Sequence, residues 1–250
     1  MKTITFALQK GGVGKTSMSV SVAAQLAKFG NKVIIIDSDP QGNSTSWLIE
    51  DLENEFSDIL FGDCKVADAI CKTQIEKLNI IPTAGIGGSL NKYSEREAAG
   101  KPYVISDIMP ELNALGYDYC VIDTSPSFKA LEKACIMASD EVIAVLTLSL
   151  LGTDGLQIFT KHLAEFKKDF RLPKDRPIFN KVIFNSRNKS IKHQGDLLDQ
   201  YEAGLNTGFL KFVVPVDQAF ERACGAHLSI NEVNAKVETI QTIADIARSL

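Results

Sequence analysis

The sequence predicts an α/β fold, a doubly wound and mostly parallel sheet with helices on both faces. Short continuous apolar runs are typical of parallel strands that are buried on both faces. These runs alternate with segments of helical periodicity, which is the order of a sheet covered by helices. Polar and glycine-rich residues follow several of the runs, where such folds bind ligands. With 250 residues and 45% hydrophobic content, we expect a single domain over 1–250.

Composition narrows the class of protein. The five cysteines include no C-x-x-C pair, which predicts reduced, mostly buried thiols and argues against an iron–sulfur scaffold. The three histidines lack ligand spacing, so a transition-metal site has little support. The sequence has neither a secretory signal nor about 18 consecutive apolar residues, and we therefore expect a cytoplasmic protein without membrane attachment.

A glycine-rich segment, residues 8–16 (LQKGGVGKT), lies between the first apolar run and a helical pattern. Glycines let successive backbone N–H groups turn toward a phosphate, and the helix that follows presents unpaired amides. Lys15 is the expected cation for the outer phosphates and Thr16 the expected Mg²⁺ ligand. The ordinary phosphate-loop pattern requires glycine where Gln9 stands, and here Lys10 precedes the glycines instead. The candidate nucleotide-binding residues of this segment are Lys10, Gly11, Gly12, Val13, Gly14, Lys15, Thr16 and Ser17.

Acidic residues follow two of the predicted strands. Val33–Ile36 is a continuous apolar run that leads into Asp37 and Asp39, and in extended chain these two side chains point to one side. We expect both carboxylates to converge above the glycine-rich segment. Tyr119–Asp123 is a second apolar run that ends in an acid, the form of a strand-end Mg²⁺ site. The candidate Mg²⁺ residues are therefore Thr16, Asp37 and Asp123.

The remaining segments predict the outer parts of the fold. Residues 50–77 are rich in acids and predict solvent-facing helical structure, and 78–81 predicts a short strand before a glycine loop. Another strand is expected over 141–148, and it leads through Gly152 into a helix that ends near Phe166. The C-terminal segment 233–250 predicts an amphipathic helix, with apolar residues packed on the domain at Val237, Ile240, Ile243, Ile246 and Leu250.

With Lys10 before the glycines and the D-x-D-P sequence after Val33–Ile36, the chain resembles the ParA/Soj branch of the ParA/MinD family of deviant Walker A P-loop ATPases. The resemblance implies ATP and Mg²⁺ as cofactors, with weak ATP hydrolysis that needs Lys10, Lys15 and Asp39. It also implies a face-to-face homodimer on ATP binding, in which Lys10 reaches the partner's phosphates. At the strand end that carries Asp123 the family usually has Asp-x-Pro-Pro, whereas here Ser125 stands before Pro126.

The resemblance further implies an adenine site and a surface for nonspecific DNA. Asn185, Pro215 and Asp217 match the strand ends that flank adenine in relatives. The arginines that help chromosomal relatives bind DNA are replaced by Val216 and Ala219. Residues 161–193 nevertheless carry a net charge of +7 in a chain whose net charge is −4. A solvated helix face is the simpler interpretation of that charge. The candidate DNA-binding residues are Arg187, Lys189, Lys192 and Arg222.

Three functions remain open from the sequence. The first is a plasmid or chromosome partition ATPase, associated with the nucleoid and discharged by a ParB-like or small DNA-binding adaptor. The second is an orphan relative that positions a protein cargo such as a chemoreceptor array, a microcompartment or the division apparatus. The third is a nicotinamide oxidoreductase, because Gly12, Gly14 and Ser17 nearly satisfy a dinucleotide-binding pattern. Since the first predicted strand begins at the chain start, no N-terminal helix-turn-helix extension is expected.

Overall fold

The computed structural model describes residues 1–148, 153–205 and 208–250. Eight strands form one sheet, and their bounds are β1 Lys2–Ala7, β2 Val33–Ser38, β3 Cys71–Lys72, β4 Leu78–Ile81, β5 Tyr119–Thr124, β6 Glu141–Thr147, β7 Ile178–Arg187 and β8 Leu210–Pro215. Their order across the sheet is β3-β4-β2-β5-β1-β6-β7-β8. The pairs are parallel except β3 with β4. The predicted fold class is confirmed.

Helices connect the parallel strands. Their bounds are α1 Lys15–Lys28, α2 Asn43–Leu48, α3 Phe56–Phe61, α4 Leu90–Arg96, α5 Val104–Ala114, α6 Ala130–Met137, α7 Thr153–Asp169, α8 Lys192–Gly204, α9 Ala219–Gly225 and α10 Val237–Arg248. Two short 3₁₀ turns span Val66–Ala69 and Ala98–Gly100. Gly152, through which the sequence was expected to enter α7, lies outside the described residues. None of the helices described here combines the length and apolar character needed to cross a lipid bilayer.

The central strands are buried on both faces, which explains their uninterrupted apolar sequence. Ile34 and Ile36 of β2 pack into one core cluster, whereas Val33 and Ile35 pack into the other. Asp37 of β2 and Asp123 of β5 therefore lie at the carboxyl ends of strands that are packed on both faces.

Two predictions for the outer segments were wrong in part. Residues 50–77 contain one short helix, a 3₁₀ turn and the edge strand β3, and Phe56 and Val66 are buried in the core. The buried apolar residues of this segment stand between acidic residues at irregular spacing, so the sequence did not indicate which of them face the core. Val237 is 84% exposed at the start of α10, whereas Ile243 and Ile246 are buried as expected. The first turn of the helix extends beyond the surface on which the rest packs.

A buried ion cluster joins the amino ends of β1, β6 and β7. The Glu141 carboxylate pairs with Lys181, and both side chains are nearly inaccessible. Its other oxygen lies 2.9 Å from Nζ of Lys2. The two cationic partners offset part of the cost of burying this carboxylate, and removal of the carboxylate leaves buried positive charge without compensation.

We expect Glu141→Gln to lower the free energy of unfolding by about 3 kcal/mol, because Lys181 then remains buried without a counterion. Urea denaturation measures this change. Glu165→Gln is the matched control, because Glu165 pairs with Lys161 on the surface of α7 and such pairs contribute about 0–1 kcal/mol. Equal losses in the two variants would contradict the assignment of the buried pair as a stabilising element.

Candidate functional site

The site is a cleft of about 300 Å³ at the carboxyl ends of the central strands. This is the edge at which ligands bind in open parallel sheets. Its walls come from the glycine-rich loop, the segment after β2 and the turn after β5. The lining residues are Gly11, Gly12, Val13, Gly14, Lys15, Thr16, Asp39, Gln41, Asn43 and Pro126.

The loop before α1 holds a conformation that requires glycine. Gly14 caps the helix with φ of 91°, in the left-handed region. A Cβ at Gly14 would lie 2.1 Å from Nδ2 of Asn185, and the same amide nitrogen donates to the Val13 carbonyl at 2.9 Å. The end of β7 therefore supports the loop from one side. Ser17 follows in the first turn of α1, half-buried.

Lys15 is buried within the cleft with its ammonium close to the loop. Its Nζ donates to the Lys10 carbonyl at 3.2 Å. Burial lowers the pKa of Lys15, and the negative charges of Asp123 and Asp39 oppose that shift. A lysine held in this way is ready to pair with an anion that enters the cleft.

Two carboxylates lie side by side beneath the cleft, because Asp37 of β2 and Asp123 of β5 are register partners. Both are fully buried. Burial and the charge of Asp123 raise the pKa of Asp37 to about 8. Asp37 accepts hydrogen bonds from the backbone N–H and the hydroxyl of Thr45 at 2.8 and 2.7 Å. Its second oxygen accepts the Asp39 N–H at 3.2 Å.

Asp39 has a different environment from Asp37. Asp39 lines the cleft, whereas the oxygens of Asp37 are engaged by Thr45 and by the Asp39 backbone. The expected convergence of both carboxylates above the loop is therefore wrong for Asp37. Burial raises the pKa of Asp39, and the Gln41 N–H and the charge of Lys15 oppose the rise. Asp39 is the carboxylate that can face a ligand and accept a proton.

The oxygen donors around Asp123 fit Mg²⁺. The hydroxyl of Ser44 donates to Asp123 at 2.7 Å. Burial raises the pKa of Asp123, and the nearby side chains of Ser44 and Thr16 oppose that rise. Among the hydrogen bonds of the described residues, Oδ1 of Asp123 has no partner although it is buried. An orphaned carboxylate oxygen beside a threonine hydroxyl is a hard donor pair of the kind that Mg²⁺ prefers. Thr16 and Asp123 are thus brought together as predicted, and Asp37 lies behind them.

Sequence reasoning missed several residues that build the site. Ser44 and Thr45 begin α2 and hold the two buried acids, and the signal available was their position directly after the D-x-D-P sequence. Glu132 of α6 was also missed. Its carboxylate is 2% exposed and accepts the hydroxyl of Ser125, in the turn that follows Asp123. An acid three residues into a helix is a capping signal that could have identified it.

The predicted adenine residues lie at the ends of the neighbouring strands β7 and β8. Asn185 contacts the glycine-rich loop, and Pro215 pairs with Arg187. Asp217 instead joins two helices. It accepts hydrogen bonds from the N–H groups of Ala219 and Lys236 and from the hydroxyl of Thr239. Burial alone would raise the pKa of Asp217, but these hydrogen bonds outweigh burial and lower it. These adenine assignments stay predictions, and the contacts of Asp217 describe a cap rather than a ligand.

The predicted DNA-binding residues lie near the same strand ends, and three of the four are bonded to other parts of the protein. Arg187 donates to the Asn188 carbonyl at 2.7 Å, and Arg222 donates to the Asn234 carbonyl at 2.6 Å. Lys189 pairs with Glu238 of α10, and Lys192 is exposed at the start of α8.

Three further positions bear on the same surface. Lys181 is buried against Glu141, so the basic segment is less basic at the surface than its sequence suggests. Val216 is 43% exposed, whereas Ala219 is fully buried and could not present a longer side chain without displacing its neighbours.

Comparisons with known proteins agree with this geometry. Residues 1–174 match a family model described as an AAA domain. An uncharacterized protein, BBD21, of Borreliella burgdorferi is 35% identical over 205 residues, which cover 81% of each chain. The sporulation initiation inhibitor protein Soj of Bacillus subtilis is 39% identical over 162 residues. That alignment covers 62% of this chain and 62% of Soj.

A solved structure extends the similarity to the whole fold. A plasmid partition protein of Borrelia burgdorferi B31, BB_S35, was solved with AMPPNP bound and superimposes with a TM-score of 0.79 at 26% identity. The match covers 99% of this chain and 98% of that one. AMPPNP is an ATP analogue, so the ligand of that structure agrees with the cofactor that the present sequence predicts.

We expect Gly14→Ala to destabilise the protein more than Gly12→Ala. Both glycines have positive φ, so each alanine carries the strain of the left-handed region, about 1–2 kcal/mol. A Cβ at Gly12 would meet open space, whereas the one at Gly14 would displace Asn185. Thermal unfolding should therefore give a midpoint at least about 2 °C lower for Gly14→Ala than for Gly12→Ala. Equal midpoints would contradict the close approach of Asn185 to the loop.

Proposed function

The chain belongs to the ParA/MinD family of P-loop ATPases, and on that basis we propose that it is a ParA-like ATPase of plasmid or chromosome segregation. ATP would join two copies, the dimer would bind DNA nonspecifically, and hydrolysis would release it. The observation that carries the proposal is the cleft in which Lys15, Asp39 and the Thr16–Asp123 pair meet around one glycine-rich loop.

Binding of the triphosphate follows from the loop. Backbone N–H groups before and at the start of α1 would cradle the phosphates, supported by the positive end of the helix. Lys15 would exchange its contact with the Lys10 carbonyl for the outer phosphates. Asn185 and Pro215, on the neighbouring strands, would flank the base.

Magnesium would be held by the hydroxyl of Thr16 and the unpartnered oxygen of Asp123. When bound, the ion neutralises charge on the phosphates as it develops during phosphoryl transfer. Asp37 lies behind this pair, and its hydrogen bonds with Thr45 and with the Asp39 N–H fix the segment that carries Asp39.

Hydrolysis would depend on Asp39. Its carboxylate lines the cleft near Lys15, and its raised pKa suits a group that orients an attacking water and accepts its proton. The catalytic set proposed for hydrolysis is Lys10, Lys15 and Asp39. We propose that turnover is slow in the absence of a partner.

Lys10 would act across the dimer. It begins the glycine-rich loop, and, as the family resemblance implies, its role in catalysis would be at the phosphates of the second copy. A cation supplied by another subunit stabilises the charge of the transition state as an arginine finger does. The dimer would therefore form with ATP and dissociate after hydrolysis.

DNA binding would use basic side chains near the ends of β7 and β8. Lys189, Lys192 and Arg222 are exposed at the same end of the sheet, and Arg187 is half-buried there. We propose a nonspecific surface there, through which the dimer associates with the nucleoid. A ParB-like or small DNA-binding adaptor would stimulate hydrolysis.

A first test separates binding from hydrolysis. We expect Lys15→Ala to abolish ATP binding, because the buried cation is lost. Asp39→Ala should bind ATP but hydrolyse it at least about 10²-fold more slowly, the usual loss for a positioned base. Calorimetric titration and phosphate release measure the two effects, and size-exclusion chromatography of Asp39→Ala with ATP and Mg²⁺ should show a dimer. A monomer under these conditions would overturn the proposed cycle.

A second test concerns DNA. We expect Lys189→Glu with Lys192→Glu to weaken DNA binding by the ATP form and to flatten its dependence on salt, because fewer counterions are released. Lys65→Glu with Lys72→Glu is the matched control, since it changes the net charge equally at exposed positions near the edge strand β3. Fluorescence anisotropy at two salt concentrations measures both. Absence of DNA binding by the unmodified ATP form would favour a protein cargo instead.

A further inference from the structure

The turn between β5 and α6, residues 125–129, is held by one buried carboxylate. The Ser125 hydroxyl donates to Oε1 of Glu132, and the Lys129 N–H donates to Oε2 at 3.0 Å. Glu132 is 2% exposed in the first turn of α6. Its two oxygens thus fix both ends of the turn.

The same turn forms a wall of the cleft. Pro126 lines it, and a Cβ placed on Gly11 of the opposite wall would lie 3.9 Å from Cγ of Pro126. The position of residue 126 therefore sets how closely the turn approaches the glycine-rich loop. Ser125 sits between this proline and the strand that ends in Asp123 and Thr124.

The turn and the glycine-rich loop also contact one helix. Phe128 packs edge to face on Phe159 of α7, with ring centroids 5.8 Å apart, and lies 5.6 Å from the ring of His162. Nδ1 of His162 makes a 2.8 Å hydrogen bond with Oε1 of Gln9, directly before Lys10. The middle of the turn is thus fixed by α7, whereas its beginning depends on Ser125 and Glu132.

Glu132 is close enough to the site to act on it electrostatically. Burial lowers the pKa of Lys15, and the charge of Glu132 is among those that oppose this shift. Burial raises the pKa of Asp39, and the charge of Glu132 adds to the rise. A carboxylate buried without an ion-pair partner among the described contacts is costly unless its hydrogen bonds are made, and Ser125 supplies one of them.

We propose that Glu132 is a positioning residue for ATP hydrolysis, which acts through Ser125 to hold the turn 125–129 against the cleft. This inference rests on the proposed ATPase function. Where the family pattern has two prolines in succession, this chain has Ser125 before Pro126, so one rigid ring is replaced by a hydrogen bond to a buried acid. The restraint on the turn is therefore side-chain chemistry that can be removed by substitution.

The loss of this restraint should reduce kcat rather than raise KM. The phosphates would be held by the loop amides and Lys15, none of which is bonded to Glu132 in the described structure. The turn closes the side of the cleft that Asp39 shares with Pro126. Ground-state binding would then persist while the geometry around the attacking water is lost.

Steady-state ATP turnover of four variants tests the inference. Ser125→Ala and Glu132→Gln should each lower kcat about tenfold, the effect expected when a hydrogen bond to a charged group is lost. KM for ATP and the affinity for ADP should change less than about twofold. The double variant should be no slower than Glu132→Gln alone, because the bond that Ser125→Ala removes is already disturbed in Glu132→Gln. Ser125→Thr keeps the hydroxyl and should restore turnover.

Ser127→Ala is the matched control in the same turn, because Ser127 is not bonded to Glu132 and accepts only a long contact from the Lys129 N–H. Its kcat should equal that of the unmodified protein. Turnover of Ser125→Ala within twofold of the unmodified protein, or multiplicative losses in the double variant, would overturn this inference while leaving the ATPase function intact. Lack of turnover by the unmodified protein would overturn the proposed function and this inference with it.

Discussion

Two adjacent buried carboxylates impose the main constraint on this structure. Asp37 and Asp123 occupy matching positions on paired strands, where their mutual repulsion and burial disfavour charge. Such a pair is tolerated only if hydrogen-bond donors or cations surround it. The start of α2, the hydroxyl of Thr16 and the ammonium of Lys15 supply that environment. The site is thus arranged to receive further positive charge, which a divalent ion provides.

The donors that satisfy Asp37 also connect segments that are distant in sequence. The Thr45 hydroxyl donates to Asp37 and accepts the Thr83 N–H, and the Thr83 hydroxyl donates to the Asp37 carbonyl. The loop after β4 is thereby tied to the loop that carries Asp39. A change in the charge of this pair would be felt by two loops at the mouth of the cleft at once, because their hydrogen bonds end on the same residue.

The sequence was sufficient to predict the fold class and the position of the glycine-rich loop between the first strand and the first helix. Continuous apolar runs such as Val33–Ile36 identified buried parallel strands, and the glycine-rich loop identified the edge of the sheet where Lys15 and Thr16 lie. Such patterns depend only on residues close together in the chain, so strands and loops can be predicted from them before the fold is known. The direction of the Asp37 side chain could not be predicted, because the chain is no longer extended after β2 and the Thr45 N–H donates to the Asp37 carboxylate.

Other features depended on tertiary contacts that no local pattern contains. Lys181 was included in the net charge of the basic segment 161–193, but its ammonium is buried in an ion pair with Glu141 on the neighbouring strand. Asp217 matched a family position for nucleotide contact, but the backbone of α10 occupies its carboxylate. The buried side of residues 50–77 was obscured because its apolar residues are spaced irregularly among acids. In each case the deciding partner is far away in the chain.

The two margins of the sheet direct how the molecule can associate. At one margin β3 has only two residues and runs antiparallel to its neighbour, and at the other β8 ends in a proline and packs beside α10. Short, proline-containing or covered border strands offer few free backbone groups to a foreign chain. Lateral strand exchange and fibre growth are thereby discouraged at both borders of the sheet.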